Sequence, residues 1–384
     1  MTRLILRPSS APRWAGNGEP GCPGSHALEA LYPEDTESPE AREGTAAHFY
    51  ATEAVQGRVH AVGTVTPNGH PIDAEMIECG DIFVQDVRSV LDQPYDTPSA
   101  FGVEQKLTMH ARIHEDCEGT PDGYFFNLAA RRYVGWDYKY GHSSNDPYRH
   151  AQLVCYAAGV FEAHGLTDAD VASLSVSLRM VTPRHYRADG PVRQWNTDGV
   201  TLLREIARVR EAAHAAKAPG APTLTGPHCR DCSAIHACEA NRRVGGYAMD
   251  LAGRSAPEVM PPDALGLELR NIDRALQRLK ARRDGLAEVA MAALRGGARM
   301  PYYGIGHGSG REAWSVPLPE VFAMGDMMGV DLRKPAALTP KQARDAGVDA
   351  TVTKAYSDIP RGAAKLVPVD DNHAAKAFGQ GPTT

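Results

Sequence analysis

The sequence predicts an α/β fold, and three observations lead there. Residues 119–139 carry two β-prone runs, Tyr124 to Leu128 and Tyr133 to Tyr140, separated by Ala129 to Arg132. That pattern reads as a β-hairpin. Val171 to Val181 alternates apolar and polar through Leu-Ser-Val-Ser-Leu, as a half-buried strand does. Helical periodicity lies before, between and after these strands, giving the order helix, strands, helix, strand.

The segments follow in order. Residues 1–39 are rich in Pro, Gly and Ser and read as loop, with a short helix from Ser25 to Leu31. Ser38-Pro39-Glu40 starts a helix, with Pro in its first turn, that runs to about Val55 and carries Glu43, His48 and Tyr50. Gly44-Thr-Ala-Ala before His48 leaves room for close packing. Residues 71–92 place Ile72, Met76, Ile77, Ile82, Val87 and Val90 at helical spacing. Phe101 to Met109 reads as a strand containing Glu104 and Lys106, and Gly141 to Asp146 as a polar loop. Asp146-Pro147 starts a helix that reaches about Ala163 and sets Gln152 and Tyr156 on one face.

Residues 197–216 form a charged helix, and 217–227 a Pro/Gly-rich link. A long helix spans 262–296, with Leu265, Leu269, Ile272, Leu276, Leu279 and Leu286 among its apolar residues and Gly296-Gly297 as its stop. Tyr302 to Val316 reads as a glycine-rich hairpin, Thr339-Pro340 opens a short helix, and a poorly ordered tail is expected from Ile359.

At 384 residues the chain holds one large domain plus appendages. No apolar stretch approaches membrane-spanning length, and the N-terminus is too short and broken for a signal peptide, so a cytoplasmic protein is expected. A net charge of −6 does not mark a nucleic-acid binder, yet a local basic surface is enough for one. Arg131, Arg132, Lys139, Arg149, Arg204, Arg208 and Arg210 could supply it; the last three equally fit a solvated helix face.

The chemistry concentrates in the hairpin. Alternate strand residues share a face, so Asp137 and Lys139 point the same way, and Asp122 sits just before the first strand of the pair. Carboxylate oxygens suit Mg²⁺ or Mn²⁺, and a neighbouring lysine can orient a metal-activated water or neutralise charge at phosphorus. The same residues also fit a plain surface hairpin with an exposed ion pair. A second cluster, Cys229, Cys232 and Cys238, has the spacing C-x2-C-x5-C. Three close thiols in a reducing compartment point to zinc or an iron–sulfur cluster. The fourth ligand is open among Cys22, Cys79, Cys117, Cys155, His228 and His236.

In order, His48, G-x-x-D ending at Asp122, D-x-K at Asp137 and Lys139, and Q-x-x-x-Y at Gln152 and Tyr156 resemble the RecB-like branch of the PD-(D/E)XK nucleases over roughly residues 40–160. One cysteine before this core and three after it look like the iron–sulfur nucleases of that branch, such as the AddB nuclease domain and the CRISPR-associated exonucleases. Ser10-Ala-Pro-Arg-Trp14 with Cys22-Pro-Gly-Ser25 also looks like a group of phage and prophage RecB-like proteins.

The resemblance implies a restriction-endonuclease-like core, a mixed sheet flanked by helices, with an iron–sulfur staple and a helical C-terminal extension. The expected division is 1–245, 246–300 and 301–384. His48, Asp122, Asp137 and the Tyr138 backbone carbonyl would hold Mg²⁺ or Mn²⁺, with Lys139 in the chemistry and Gln152 and Tyr156 beside the site contacting DNA. Glu104 is an optional further acid. Cys22, Cys229, Cys232 and Cys238 would hold a [4Fe-4S] cluster. The implied activity is a metal-dependent DNA exonuclease acting on single strands or duplex ends in phage recombination, replication or repair, in a bacterial host cell. A helicase or a strand-binding or annealing protein would be a separate chain, because no G-x-x-x-x-G-K-[ST] is present. Two other functions compete: a non-catalytic DNA-binding or scaffold protein with the nuclease fold, and a zinc-binding regulator.

Overall fold

Strand Gly123–Asn127 is buried at every position, and Arg132–Tyr138 at all but its first. Strands covered on both faces read as continuous apolar runs, and this pair is the middle of the sheet. In the computed structural model the described residues are 4–32, 39–141, 146–185, 190–252, 260–309, 313–332, 339–358 and 361–368. The chain divides into two compact units, 1–286 and 287–384.

The first unit is mixed α/β. Its five-stranded sheet contains β1 (Ala100–Gly102), β2 (Gly123–Asn127), β3 (Arg132–Tyr138), β4 (Ser175–Val181) and β5 (Val192–Asp198), in that spatial order. β3 and β4 are parallel and the other neighbours antiparallel. A parallel pair needs a crossover, and helix α3 (Ala151–Ala163) lies within it. The remaining principal helices here are α1 (Pro39–Val55), α2 (Ala74–Leu91) and α4 (Gly199–Lys217).

Alternation along the strands sorts two cores. Tyr124, Tyr133, Val176 and Leu178 pack with Val154 and Phe161 of α3 and with Leu202 and Val209 of α4. Phe125, Val134, Trp136 and Tyr138 pack with Tyr50 of α1 and with Met76, Phe83 and Val87 of α2. Gly80 lets α1 and α2 approach, since a Cβ there would fall 2.5 Å from the Tyr50 ring.

Several expected boundaries move. Phe101 to Met109 is not one strand: it is β1 and a separate pair, Leu107–Thr108 against Glu118–Gly119, with Glu104 between them at φ 48. That left-handed backbone breaks the ladder. α3 starts at Ala151 instead of Asp146-Pro147, because Arg149 is also left-handed, at φ 51. The first part of 171–181 belongs to helix Asp168–Ala172. β5 has no counterpart in the sequence reading; as an edge strand it is half-exposed and gives little apolar signal. Asp198 caps α4 by accepting from Thr201 N at 2.8 Å.

In the second unit, helices Leu318–Met327, Pro340–Asp345 and Ala350–Tyr356 enclose Val321, Met324, Leu332, Ala343 and Val348. The expected 302–316 hairpin does not form. Tyr303–Ser309 pairs with Arg361–Pro368, and Ala313–Trp314 with Ser357–Asp358. Residues 361–368 of the expected loose tail are therefore a strand, while 369–384 lie outside the described residues. The long helix is Pro262–Arg295, followed by Gly297 at φ 86.

Asp86 of α2 joins helix to sheet. It accepts from the buried Trp136 Nε1 at 2.6 Å and from Arg179 Nη1 at 2.9 Å, and the guanidinium lies 5.9 Å from the Trp136 ring. Asp86→Ala leaves a buried indole N–H without an acceptor and a largely buried cation without its carboxylate. We expect a loss of about 2–4 kcal/mol in urea unfolding, with a smaller loss for Asp86→Asn.

Candidate metal centre and cysteine cavity

Three elements meet at one end of the sheet. His48 projects from α1 on the Tyr138 face, its ring edge-on to Tyr138 at 5.2 Å. Asp137 and Lys139 lie on the opposite face, toward α3. Asp122 sits at the strand end, where both faces can reach it. Its Oδ2 accepts from Tyr138 N at 2.6 Å, and its Oδ1 lies 3.4 Å from His48 Nδ1. Glu104 joins them: one ligand atom each from His48, Glu104 and Asp122 lies within 4.8 Å of the others. The left-handed turn that ends the expected strand is what places Glu104 here.

Asp137 is not part of that trio, but it adjoins it. Its side chain is 0% exposed. Oδ1 accepts from Lys139 Nζ at 3.1 Å and from Gln152 Nε2 at 2.8 Å. Oδ2 is buried and, among the described residues, has no hydrogen-bond partner. Gln152 Nε2 also lies 3.3 Å from the Tyr156 hydroxyl, so the Q-x-x-x-Y pair works as one unit on α3.

The charges are strongly interdependent. Burial pushes the Asp137 carboxyl up to about 6; Lys139 pulls against that and Asp122 adds to it. Burial also raises Asp122, but His48, Lys139 and the Tyr138 N–H outweigh it and hold Asp122 below the usual carboxylate range. Burial opposes charge on His48 and on Lys139, yet the neighbouring carboxylates lift both above their ordinary values. Protons on His48 and Lys139 thus balance the acids. A divalent cation held by His48 and the acids would release the histidine proton, as ligation requires neutral imidazole.

The glycine of G-x-x-D has a steric reason. A Cβ on Gly119 would lie 2.8 Å from the Pro8 ring and 3.2 Å from Tyr156. The N-terminal segment therefore packs directly beside the site. It also caps α3, since Asn17 Oδ1 accepts from Ala151 N at 2.9 Å. Neither Pro8 nor Asn17 was evident from sequence; Gly119 was the visible half of the first contact.

Of the basic residues singled out, Arg149 and Arg208 bracket the buried Glu205, at 2.7 and 2.8 Å. Arg132 donates to the Tyr95 hydroxyl at 2.9 Å. These three are tied into the fold. Arg131, Arg204 and Arg210 are exposed.

The four cysteines converge elsewhere. Cys22, Cys229, Cys232 and Cys238 line one cavity, together with His228. Leu224 N donates to Cys22 Sγ at 3.1 Å, and Gly226 N to Cys229 Sγ at 3.4 Å. Cys117 and Cys155 lie in the α3-side core and Cys79 in the α1–α2 core, so none of these three joins the cavity. His236 instead packs edge-on against Tyr32 at 4.7 Å.

Among the described residues no helix is long and apolar enough to cross a membrane. No curated protein matches the sequence. Residues 4–328 match the family described as "Protein of unknown function (DUF2800)", a span that takes in both the acidic cluster and the cysteine cavity. The chain belongs to the DUF2800 family.

Proposed function

We propose that this chain is a metal-dependent DNA exonuclease with a PD-(D/E)XK-type site and a [4Fe-4S] staple. The observation that carries the reading is the Asp137 carboxylate: fully buried, bound on one oxygen by Lys139 and Gln152, and unpartnered on the other. A buried orphan oxygen is costly and calls for a ligand. His48, Asp122 and Glu104 stand beside it with oxygen and imidazole donors that suit Mg²⁺ or Mn²⁺.

A divalent ion bound there would acidify a water and polarise the scissile phosphate. The chain's own residues supply the rest. Lys139 stays protonated in this field and can neutralise negative charge that develops on phosphorus oxygens. Gln152 fixes the rotamer of Asp137 through its 2.8 Å bond. The Tyr138 N–H fixes Asp122, which leaves the other Asp122 oxygen facing His48 and Glu104.

The cysteine cavity brings four thiols together, as either zinc or an iron–sulfur cluster requires. Backbone N–H donors aimed at Cys22 and Cys229 suit a cluster, whose sulfurs are tuned by such bonds. Its role is to tie Cys22 to Cys229, Cys232 and Cys238, closing a loop of about 200 residues. A zinc regulator would use this cavity but has no use for the acidic site. A non-catalytic scaffold has no use for a buried, unpartnered Asp137.

End-labelled linear DNA should be degraded with Mg²⁺ or Mn²⁺ and spared with chelator, while circular DNA resists. Lys139→Ala and Asp122→Ala should each abolish cutting with folding intact; undiminished cutting by both overturns the site.

Asp137→Asn should raise the melting temperature in chelator, because it removes a buried charge, and should erase the rise that Mn²⁺ gives the parent. An unchanged Mn²⁺ shift would remove Asp137 from the metal site.

Protein purified without oxygen should be brown, with iron and sulfide measurable. Cys229→Ser should lower its melting temperature by several degrees; melting like the parent would defeat the staple.

A further inference from the structure

A second cavity, of about 290 Å³, opens beside the acidic cluster. Its lining joins three distant parts of the chain: Arg7 and Ser9 from the N-terminal segment, Lys106 and Glu118 from the small strand pair, and Gly119 and Tyr156 from the site itself. The floor leads inward. The Tyr156 hydroxyl lies 3.3 Å from Gln152 Nε2, which in turn donates to Asp137.

The charges at the rim are unequal. Lys106 and Glu118 pair at 3.0 Å and largely cancel. Arg7 is exposed, and among the described residues its guanidinium has no ion-pair or hydrogen-bond partner. A partnerless arginine over an open cavity, with a serine hydroxyl beside it, is an anion-recognising arrangement. The size is at the bottom of the range for small-ligand pockets, about 300–1,000 Å³, so it admits about one nucleotide and excludes a duplex. Gly119 keeps it open, since a side chain there would push Pro8 and Tyr156 apart.

We infer that this cavity is a backbone subsite for a single nucleic-acid strand, in which Arg7 and Ser9 hold a phosphate next to the one being cut. The inference rests on the nuclease reading above and adds to it the form of the substrate: a lone strand delivered past Tyr156, with duplex ends used only after they fray.

The test separates the two. Binding of a short fluorescein-labelled oligothymidylate is followed by anisotropy on the full-length protein in chelator, where no cutting occurs. Arg7→Ala should weaken binding about tenfold and lower the salt slope by about 0.7, the share of one phosphate contact on a single strand. Arg7→Lys should restore most of the affinity, since a point charge still reaches a phosphate. In the cutting assay Arg7→Ala should raise KM about tenfold with kcat kept. Arg243→Ala, on the helix Glu239–Ala252 and outside the cavity lining, should change neither. Gly119→Ala should weaken binding without removing a charge. Parental affinity and KM for Arg7→Ala would overturn the subsite while active parent protein keeps the nuclease reading. Tighter binding of a blunt duplex than of the single strand would also overturn it. A parent that neither binds the strand nor cuts DNA would sink both.

Discussion

One carboxylate holds the two faces of the sheet in a common geometry. Gly123 pairs with Trp136, and continuing that register sets Asp122 opposite Asp137. Asp122 does not extend the backbone ladder. Its side chain takes the Tyr138 N–H instead, at 2.6 Å, and turns its other oxygen to His48. The position of the site therefore depends on hairpin register, which a one-residue slip would destroy by sending Asp137 and Lys139 to the opposite face. Burial on both faces of β2, and of β3 beyond Arg132, is what forbids such a slip.

Much of the frame was legible in the sequence because each central element carries its own signal. The hairpin is apolar and aromatic, α1 and α2 have helical periodicity, and α4 has a cap-type residue at its start. Apart from the half-exposed edge strand β5, the errors share a physical origin: they turned on conformations or pairings set from a distance. Glu104 and Arg149 adopt left-handed backbone that their residue types do not announce. The start of α3 is fixed by Asn17, more than a hundred residues away in sequence. In the second unit Tyr303–Ser309 finds its partner strand beyond residue 360 and not across the nearest turn. Local propensity cannot express such choices.

The site divides along the same line. Asp122, Asp137 and Lys139 could be grouped from strand alternation, and a four-residue helical step relates Gln152 to Tyr156, but only the family resemblance set that pair beside the carboxylates. The structure adds what spacing leaves open. Glu104 stands with His48 and Asp122, while Gln152 faces Asp137 from within the core and not from an exposed stripe. Half of the arginines that looked available for nucleic acid are spent on Glu205 or Tyr95. The unspent one near the site, Arg7, lies in a segment that reads as mere loop.

That segment explains more than its composition suggests. Between residues 4 and 25 it places Pro8 against Gly119, Asn17 on the first turn of α3 and Cys22 in the cavity shared with Cys229, Cys232 and Cys238. Each contact spans a hundred residues or more, and long closures are entropically unfavourable, though the cost grows only slowly with length. A single contact of this kind would hold the segment poorly. Three along one stretch share the cost of ordering it, because fixing Cys22 also limits where Asn17 and Pro8 can lie. On the proposed reading the cysteine cavity and the acidic site are then coupled without sharing a residue. A cluster that clamps Cys22 keeps the N-terminal wall beside Tyr156, so the part of the molecule that stabilises the fold also shapes the path to the carboxylates.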